Sequence, residues 1–274
     1  MLKKKMIKKR QLLNKTDILK NISAEHKESL KELIIFEEIG STNDEAKTKL
    51  TEIENFKDSL AIFAEHQTSG RGRRGKTWER PANVNIYMSF AWYSSLKLSD
   101  LEGLSLASGV EISNHLEPII GESLKLKWPN DLFLSEKKTG GILVETTSNK
   151  KGASIVIGVG LNVLMSDKVG NSIDQDWTSL SIHFGKDFDR NEIAGLILEA
   201  LFHLRNNFES GGFSRYKDQF EELNLLKNKE CLATFEDVSL KGLVEGITEN
   251  GELILNENGK IHRLRYGDVS IKKI

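Results

Sequence analysis

Gly70-Arg71-Gly72-Arg73-Arg74-Gly75-Lys76-Thr77 satisfies the P-loop pattern G-x-x-x-x-G-K-[ST] through Gly70, Gly75, Lys76 and Thr77. Three glycines and four cationic side chains within eight residues are chemistry for gripping an anion. A P-loop must follow a strand and open directly into a helix whose first N–H groups hold the phosphates. Leu60-Ala61-Ile62-Phe63-Ala64-Glu65 meets the first condition, being short, apolar and bounded by polar residues. The second fails. Pro81 falls in the second turn of any helix begun at Thr77, with Asn83, Val84 and Asn85 crowding the next. The strand-like run Ile86-Tyr87-Met88-Ser89-Phe90-Ala91-Trp92 follows. The segment therefore joins two strands, no strand ending in a Walker-B type Asp appears further on, and the P-loop reading becomes the minority one.

Composition sets the outer bounds. At 274 residues the chain holds one sizeable domain and a small one. Its 38% hydrophobic and 29% charged content are those of a soluble globular protein. A formal net charge of -1 gives no global field toward nucleic acid. No apolar run approaches membrane-spanning length and no apolar segment follows the basic N-terminus, so neither membrane nor export is expected. Cys231 stands alone, which excludes an internal disulfide, suits a reducing cytoplasm and reads as an inert half-buried thiol. The six histidines show no H-x-x-x-H or Cys/His cluster, so no dedicated metal site is expected.

Along the chain, Lys3, Lys4, Lys5, Lys8, Lys9 and Arg10 read as a short solvated tail, with a nucleic-acid arm as the alternative. Residues 11–32 are weakly helical and too few for a winged helix-turn-helix. Leu33 to Ile39 reads as a strand, and Ser41 as the N-cap of a helix over Glu45 to Leu50. Leu101 to Leu116 has helical spacing that stops before Pro118. Leu124 to Trp128 alternates as a strand, Leu132–Leu134 and Ile142–Glu145 pair as a hairpin, and Ile155 to Leu161 is a buried strand. Helical stretches over roughly 190–208 and 213–226 cover it. The mixture argues α+β around one mainly antiparallel sheet. From Asn228, short β-type runs separated by Asn250-Gly251, Asn258-Gly259 and Gly267-Asp268 predict a small barrel of about five strands. The expected divisions are a basic extension over 1–32, a main domain over 33–227 and the barrel over 228–274.

Five segments set glycines or amides beside charges at strand ends and loops, where sites are usually built. They are Ser41-Thr42-Asn43, Glu65 to Trp78, Lys127-Trp128-Pro129-Asn130-Asp131, Lys138-Thr139-Gly140-Gly141, and Gly158-x-Gly160-x-Asn162. Taken singly, each has a plainer reading: Ser41 as a cap, Trp128-Pro129 as a packed strand end, Asp131 as a turn cap, Lys138 as a surface lysine, the arginine loop as an anion or RNA patch.

Taken together and in this order, they resemble the biotin protein ligases, from about Phe36 to the C-terminus. The arginine loop and K-W-P-N-D in one chain are the specific pair. The resemblance implies a class II synthetase-like α+β fold, its mainly antiparallel sheet flanked by helices, with a C-terminal SH3-like β-barrel. It implies an ATP-dependent ligase that forms biotinyl-5′-AMP and transfers biotin to one lysine of a biotin carboxyl carrier protein of acetyl-CoA carboxylase. By resemblance Lys138 sits between carboxylate and phosphate, and Arg71, Gly72 and Arg73 line the same reagents. Fixed cations there reduce anion–anion repulsion and stabilise charge on the phosphoryl oxygens.

Ser41, Thr42, Asn43 and Gln67 belong to the biotin side, with Trp78 and Leu143 packing its apolar body. Asn130 and Asp131 lie where the carrier lysine arrives. Arg74, Asn162 and Trp177 belong to the adenylate side, the indole stacking on adenine. Biotin and ATP are implied as substrates and Mg²⁺ as the companion of ATP, with no dedicated carboxylate cage visible. The implied setting is cytoplasmic, a homodimer formed by paired sheets, without a DNA partner because too few residues precede Ser41 for a winged helix. Lipoate protein ligase is the nearest alternative; a non-enzymatic nucleic-acid-binding protein is the alternative from another class.

Overall fold

The computed structural model describes residues 12–73, 81–149, 152–166, 176–235, 238–265 and 270–274. Strands β1 (Leu30–Ile39), β2 (Ser59–Gln67), β3 (Ile86–Ser94), β4 (Lys125–Lys127), β5 (Asp131–Leu134), β6 (Lys137–Asn149) and β7 (Gly152–Leu161) form one sheet in the order β1-β2-β3-β7-β6-β5-β4. Two short helices, α1 (Lys15–Leu19) and α2 (Ala24–Ser29), precede β1, which begins three residues before the predicted Leu33. Each has its side-chain cap, Asn14 accepting from the Asp17 amide and Ser23 from the His26 amide. Helix α3 (Thr42–Leu50) crosses from β1 to β2, which makes that pair parallel. Every other neighbouring pair is antiparallel. The loop from β2 to β3 thus connects two hydrogen-bonded antiparallel neighbours, the arrangement that Pro81 predicts.

The central strands are apolar on both faces because both are covered. Leu60 and Ile62 of β2, Ala91 of β3 and Val156 of β7 meet Ala46 and Leu50 of α3. Their alternates, among them Phe63, Phe90, Trp92, Ile155 and Ile157, face the main core built on α4 (Leu104–Ile120) and α6 (Arg190–Gly211). α5 (Leu180–Phe184) and α7 (Lys217–Leu223) complete the helices. The predicted end of α4 before Pro118 is corrected by the structure, where the helix runs on to Ile120 and stops at left-handed Gly121. Asn114, whose carbonyl the proline ring displaces, is exposed, and buried Ile120 holds down the last turn. The predicted helix over 213–226 is a single 3-10 turn, Phe213–Arg215, followed by α7.

Strands β8 (Glu230–Phe235), β9 (Val238–Ile247), β10 (Leu253–Glu257), β11 (Lys260–Leu264) and β12 (Ser270–Lys273) form a second sheet in the order β11-β10-β9-β8-β12. Its five strands match the expected number, but the expected barrel is not closed: β11 and β12 remain separate edges among the described residues. This sheet docks on the first. The Trp128 indole donates to the Gly251 carbonyl at 3.0 Å, and the Leu225 amide donates to Leu126 at 2.9 Å just before the second sheet begins. Glu221 of α7 accepts from the Ile247 amide at 2.6 Å. Among the described residues no helix is long and apolar enough to cross a membrane.

Candidate active site

A cavity of about 270 Å³ opens on the α3 face of the main sheet, beyond the N-terminus of that helix. Its floor follows from alternation. Gly158 and Gly160 of β7 lie on the same face as Val156, and Gly141 pairs with Gly160. These three sheet glycines leave the floor bare where side chains would otherwise fill the space. Asn43 rests on this floor: a Cβ at Gly158 would lie 2.3 Å from Asn43 Oδ1.

The start of α3 supplies one wall. Ser41 caps the helix, while the Thr42 amide and hydroxyl donate to Gln67 Oε1 at 2.8 and 3.1 Å. Ser89 Oγ lies 2.8 Å from Thr42 Oγ1 and 2.5 Å from Asn43 Oδ1 and shares its proton between them. Asn43 Nδ2 donates to Glu145 at 2.6 Å. All four of Ser41, Thr42, Asn43 and Gln67 are buried, so their geometry is set before any ligand arrives. Gly158→Ala is therefore expected to raise the KM for the cavity's small-molecule substrate by about tenfold or more and to lower the unfolding temperature, since displacing a buried hydrogen bond costs about 1–3 kcal/mol. Steady-state kinetics beside a thermal melt checks this, and an unchanged KM would count against Asn43 as a ligand contact.

The opposite wall is cationic. A bulge in the β5–β6 hairpin pairs Phe133 with Lys138 but Leu132 with Gly140, leaving Thr139 out of register. The shift turns Lys138 to the face of Gly141 and Asp131, which unbroken alternation would have given to Thr139. Lys138 Nζ meets Asp131 at 2.7 Å, with both side chains mostly buried. Lys127 projects from the end of β4, its ammonium 5.7 Å from the Phe133 ring centre. Burial pushes its pKa below the ordinary lysine value against the opposing pull of Asp131. Arg71 folds back onto α3, forking onto Asp44 at 2.5 and 2.7 Å, and lies 3.7 Å from Glu145. The Arg71 guanidinium holds the half-exposed Asp44 carboxyl below the usual range. Ile271 of β12 reaches in from the second sheet to close the remaining side.

The structure brings together in this lining Ser41, Thr42, Asn43, Gln67, Arg71, Gly72, Arg73, Asn130, Asp131, Lys138 and Leu143 of the predicted set. Arg74 and Trp78 lie outside the described residues. Asn162 and Trp177 do not line the cavity. Asn162 is buried, accepting from Asn85 at 3.2 Å and donating to the Thr178 carbonyl at 3.1 Å. Trp177 is half-buried in a one-residue bridge to Lys138, flanked by the Lys138 amide on Asp176 and the Thr178 amide on Lys138. Asn130 donates its amide to the Ile142 carbonyl at 2.7 Å, which ties the β4–β5 turn to β6. The predicted set lacks Lys127, Ser89, Glu145 and Ile271. Ser89 had a signal, as the one small polar residue within the apolar and aromatic run Ile86 to Trp92. Lys127 stood inside the K-W-P-N-D segment itself; Glu145 and Ile271 had no local signal, because each depends on pairing across the sheets.

A bare sheet floor, an amide and hydroxyl wall, and a cationic wall enclose a cavity suited to a small anionic ligand. Residues 35–162 match the model of the biotin/lipoate A/B protein ligase family, and residues 228–272 match the biotin protein ligase C-terminal domain. The bifunctional ligase/repressor BirA of Escherichia coli K12 is 33% identical over 85% of this chain and 72% of its own length. The biotin–[acetyl-CoA-carboxylase] ligase of Mycobacterium tuberculosis is 28% identical over 87% of this chain and 88% of its own. The biotin protein ligase of Aquifex aeolicus, solved with biotin and ATP, superposes with a TM-score of 0.73 at 27% identity, covering 89% of this chain and 100% of that one. The chain belongs to the biotin protein ligase family, whose members are enzymes.

Proposed function

We propose that this chain activates biotin as biotinyl-5′-AMP and delivers it to a lysine of a biotin carboxyl carrier protein. The observation that supports this most is Lys138, turned by the hairpin bulge into a glycine-floored cavity between the polar α3 wall and the arginine loop. In the first step a biotin carboxylate oxygen attacks the α-phosphorus of ATP and the bond to pyrophosphate breaks. Lys138, Arg71 and Arg73 surround the two anions and the charge that builds between them. Gly72 lets the loop backbone approach. Ser41 holds the start of α3, while Thr42, Asn43 and Gln67 hold the polar end of biotin, with Leu143 against its apolar body.

In the second step the free amine of the carrier lysine attacks the acyl carbon, AMP leaves, and a proton is released. Asp131 is engaged by Lys138 in the structure. We place it as the group that Lys138 gives up on turning to the anions, leaving a carboxylate free to orient the incoming lysine and take its proton. Asn130 positions that turn. Asn162 and Trp177 are assigned to support the segment around Thr178 on the adenylate side, with Arg74 and Trp78 keeping their sequence-based roles. Mg²⁺ accompanies ATP, but Asp131 is the one carboxylate among the described lining residues and it is paired. These residues form no cage for the ion. A cytoplasmic homodimer with no DNA partner completes the reading.

Pyrophosphate release with biotin against lipoate, followed by labelling of an isolated carrier domain, tests the assignment. Labelling with lipoate alone would move the chain to the sister activity. Arg73→Gly is expected to form the adenylate yet let it escape, spreading biotin over unrelated lysines. Mass spectrometry showing carrier labelling alone, at full rate, would remove Arg73 from retention of the intermediate.

A further inference from the structure

The helical side of the main sheet, away from the cavity, carries a second group of chemically capable side chains. Glu199 and His203 stand one turn apart on α6, and His26 comes from α2, so that one ligand atom from each lies within 4.8 Å of the others. His26 Nδ1 is 2.9 Å from Glu199 Oε2, and His203 Nε2 is 3.8 Å from Glu199 Oε1. Ligands about 2.0–2.1 Å from a tetrahedral zinc ion stand roughly 3.3 Å apart, so the widest of the three separations, up to 4.8 Å, closes on an ion by a turn of the half-exposed His203 side chain.

Three further features favour an ion over a plain polar cluster. His26 is only 5% exposed, and its Nδ1 has no hydrogen-bond partner despite facing the carboxylate. Its ring is fixed by stacking on Phe202 at 4.8 Å and 9°, with its other nitrogen 3.3 Å from Asn206 Nδ2. His203 is nearly half exposed, which leaves an entry path and an open position for water.

We propose that His26, Glu199 and His203 bind a first-row divalent cation of the zinc type, pinning α2 to α6. Two imidazoles and a carboxylate suit such an ion. Glu199 already accepts from the Ser23 amide at the start of α2, so the ion would tighten an existing link.

Zn²⁺ titrated calorimetrically into the chelator-stripped full chain tests the site. Expected are binding of one ion per chain, proton release, and an unfolding temperature that rises with Zn²⁺. His203→Ala, at an exposed position that leaves the core intact, is expected to lower zinc affinity at least tenfold with biotin ligation unchanged. His262→Ala, at another histidine–carboxylate pair and in the second sheet, is expected to leave zinc affinity unchanged. Absence of binding to the parent chain, binding undiminished in His203→Ala, or loss in His262→Ala instead would each overturn the proposal.

Discussion

Replacing Lys138 with alanine is expected to abolish biotin-dependent ATP–pyrophosphate exchange, a loss of about 100- to 1,000-fold or roughly 3–4 kcal/mol. The effect is large because the ammonium is preorganised. The hairpin bulge sets its direction, Asp131 holds it at 2.7 Å, and the side chain is 14% exposed. Such a group needs no solvent to reorganise as charge shifts onto the phosphoryl oxygens. The substitution leaves Asp131 half of a broken pair, so part of any loss could be structural. Asp131→Asn separates the two: it breaks the same pair, keeps Lys138, and should retain exchange while slowing transfer to the carrier. Exchange retained in Lys138→Ala, or lost equally in Asp131→Asn, would contradict the assigned roles.

Glu65→Ala is expected to destabilise the fold by about 3–5 kcal/mol, the cost of stranding a buried charge. At 2–4 °C per kcal/mol that is roughly 6–20 °C in Tm. Glu65 Oε2 meets Arg190 Nη2 at 2.6 Å with the two side chains 5% and 1% exposed, and Oε1 accepts from the Leu13 amide at 2.5 Å. Arg190 also donates to the Asn85 carbonyl at 2.8 Å, and the Asn85 side chain reaches both Asn162 and the Val163 amide. One carboxylate thus anchors the chain before α1, the start of α6 and the segment that supports the site. Replacing Glu65 with leucine and Arg190 with methionine together should cost less than Glu65→Ala, because no charge is then left unpaired. A double variant as unstable as the single would show that packing, not the charge, carries the loss.

What the sequence disclosed depended on how local each signal was. Pro81 and the apolar run from Ile86 were enough to refuse the P-loop, since both act within a few residues of Thr77. The alternate glycines at 158 and 160 were visible as a pattern, and pairing with Gly141 explains them as one floor. Pro118 misled because a proline in the final exposed turn breaks one hydrogen bond and not the helix. The direction of Lys138 rests on a one-residue register shift that no periodicity reveals. The pairing of Arg71 with Asp44, the buried role of Asn162, and the approach of His26 to Glu199 across most of the chain arise only when distant elements pack.

The position of Ile271 in the cavity wall and the Trp128 bond to Gly251 have a thermodynamic consequence. A ligand that fits only the completed cavity binds the docked arrangement of the two sheets and not the separated one. Occupancy then adds RT ln(1 + [L]/Kd) to the docking equilibrium, so substrate and C-terminal sheet each tighten the hold of the other. The second sheet is in that sense an effector that the enzyme carries within its own chain.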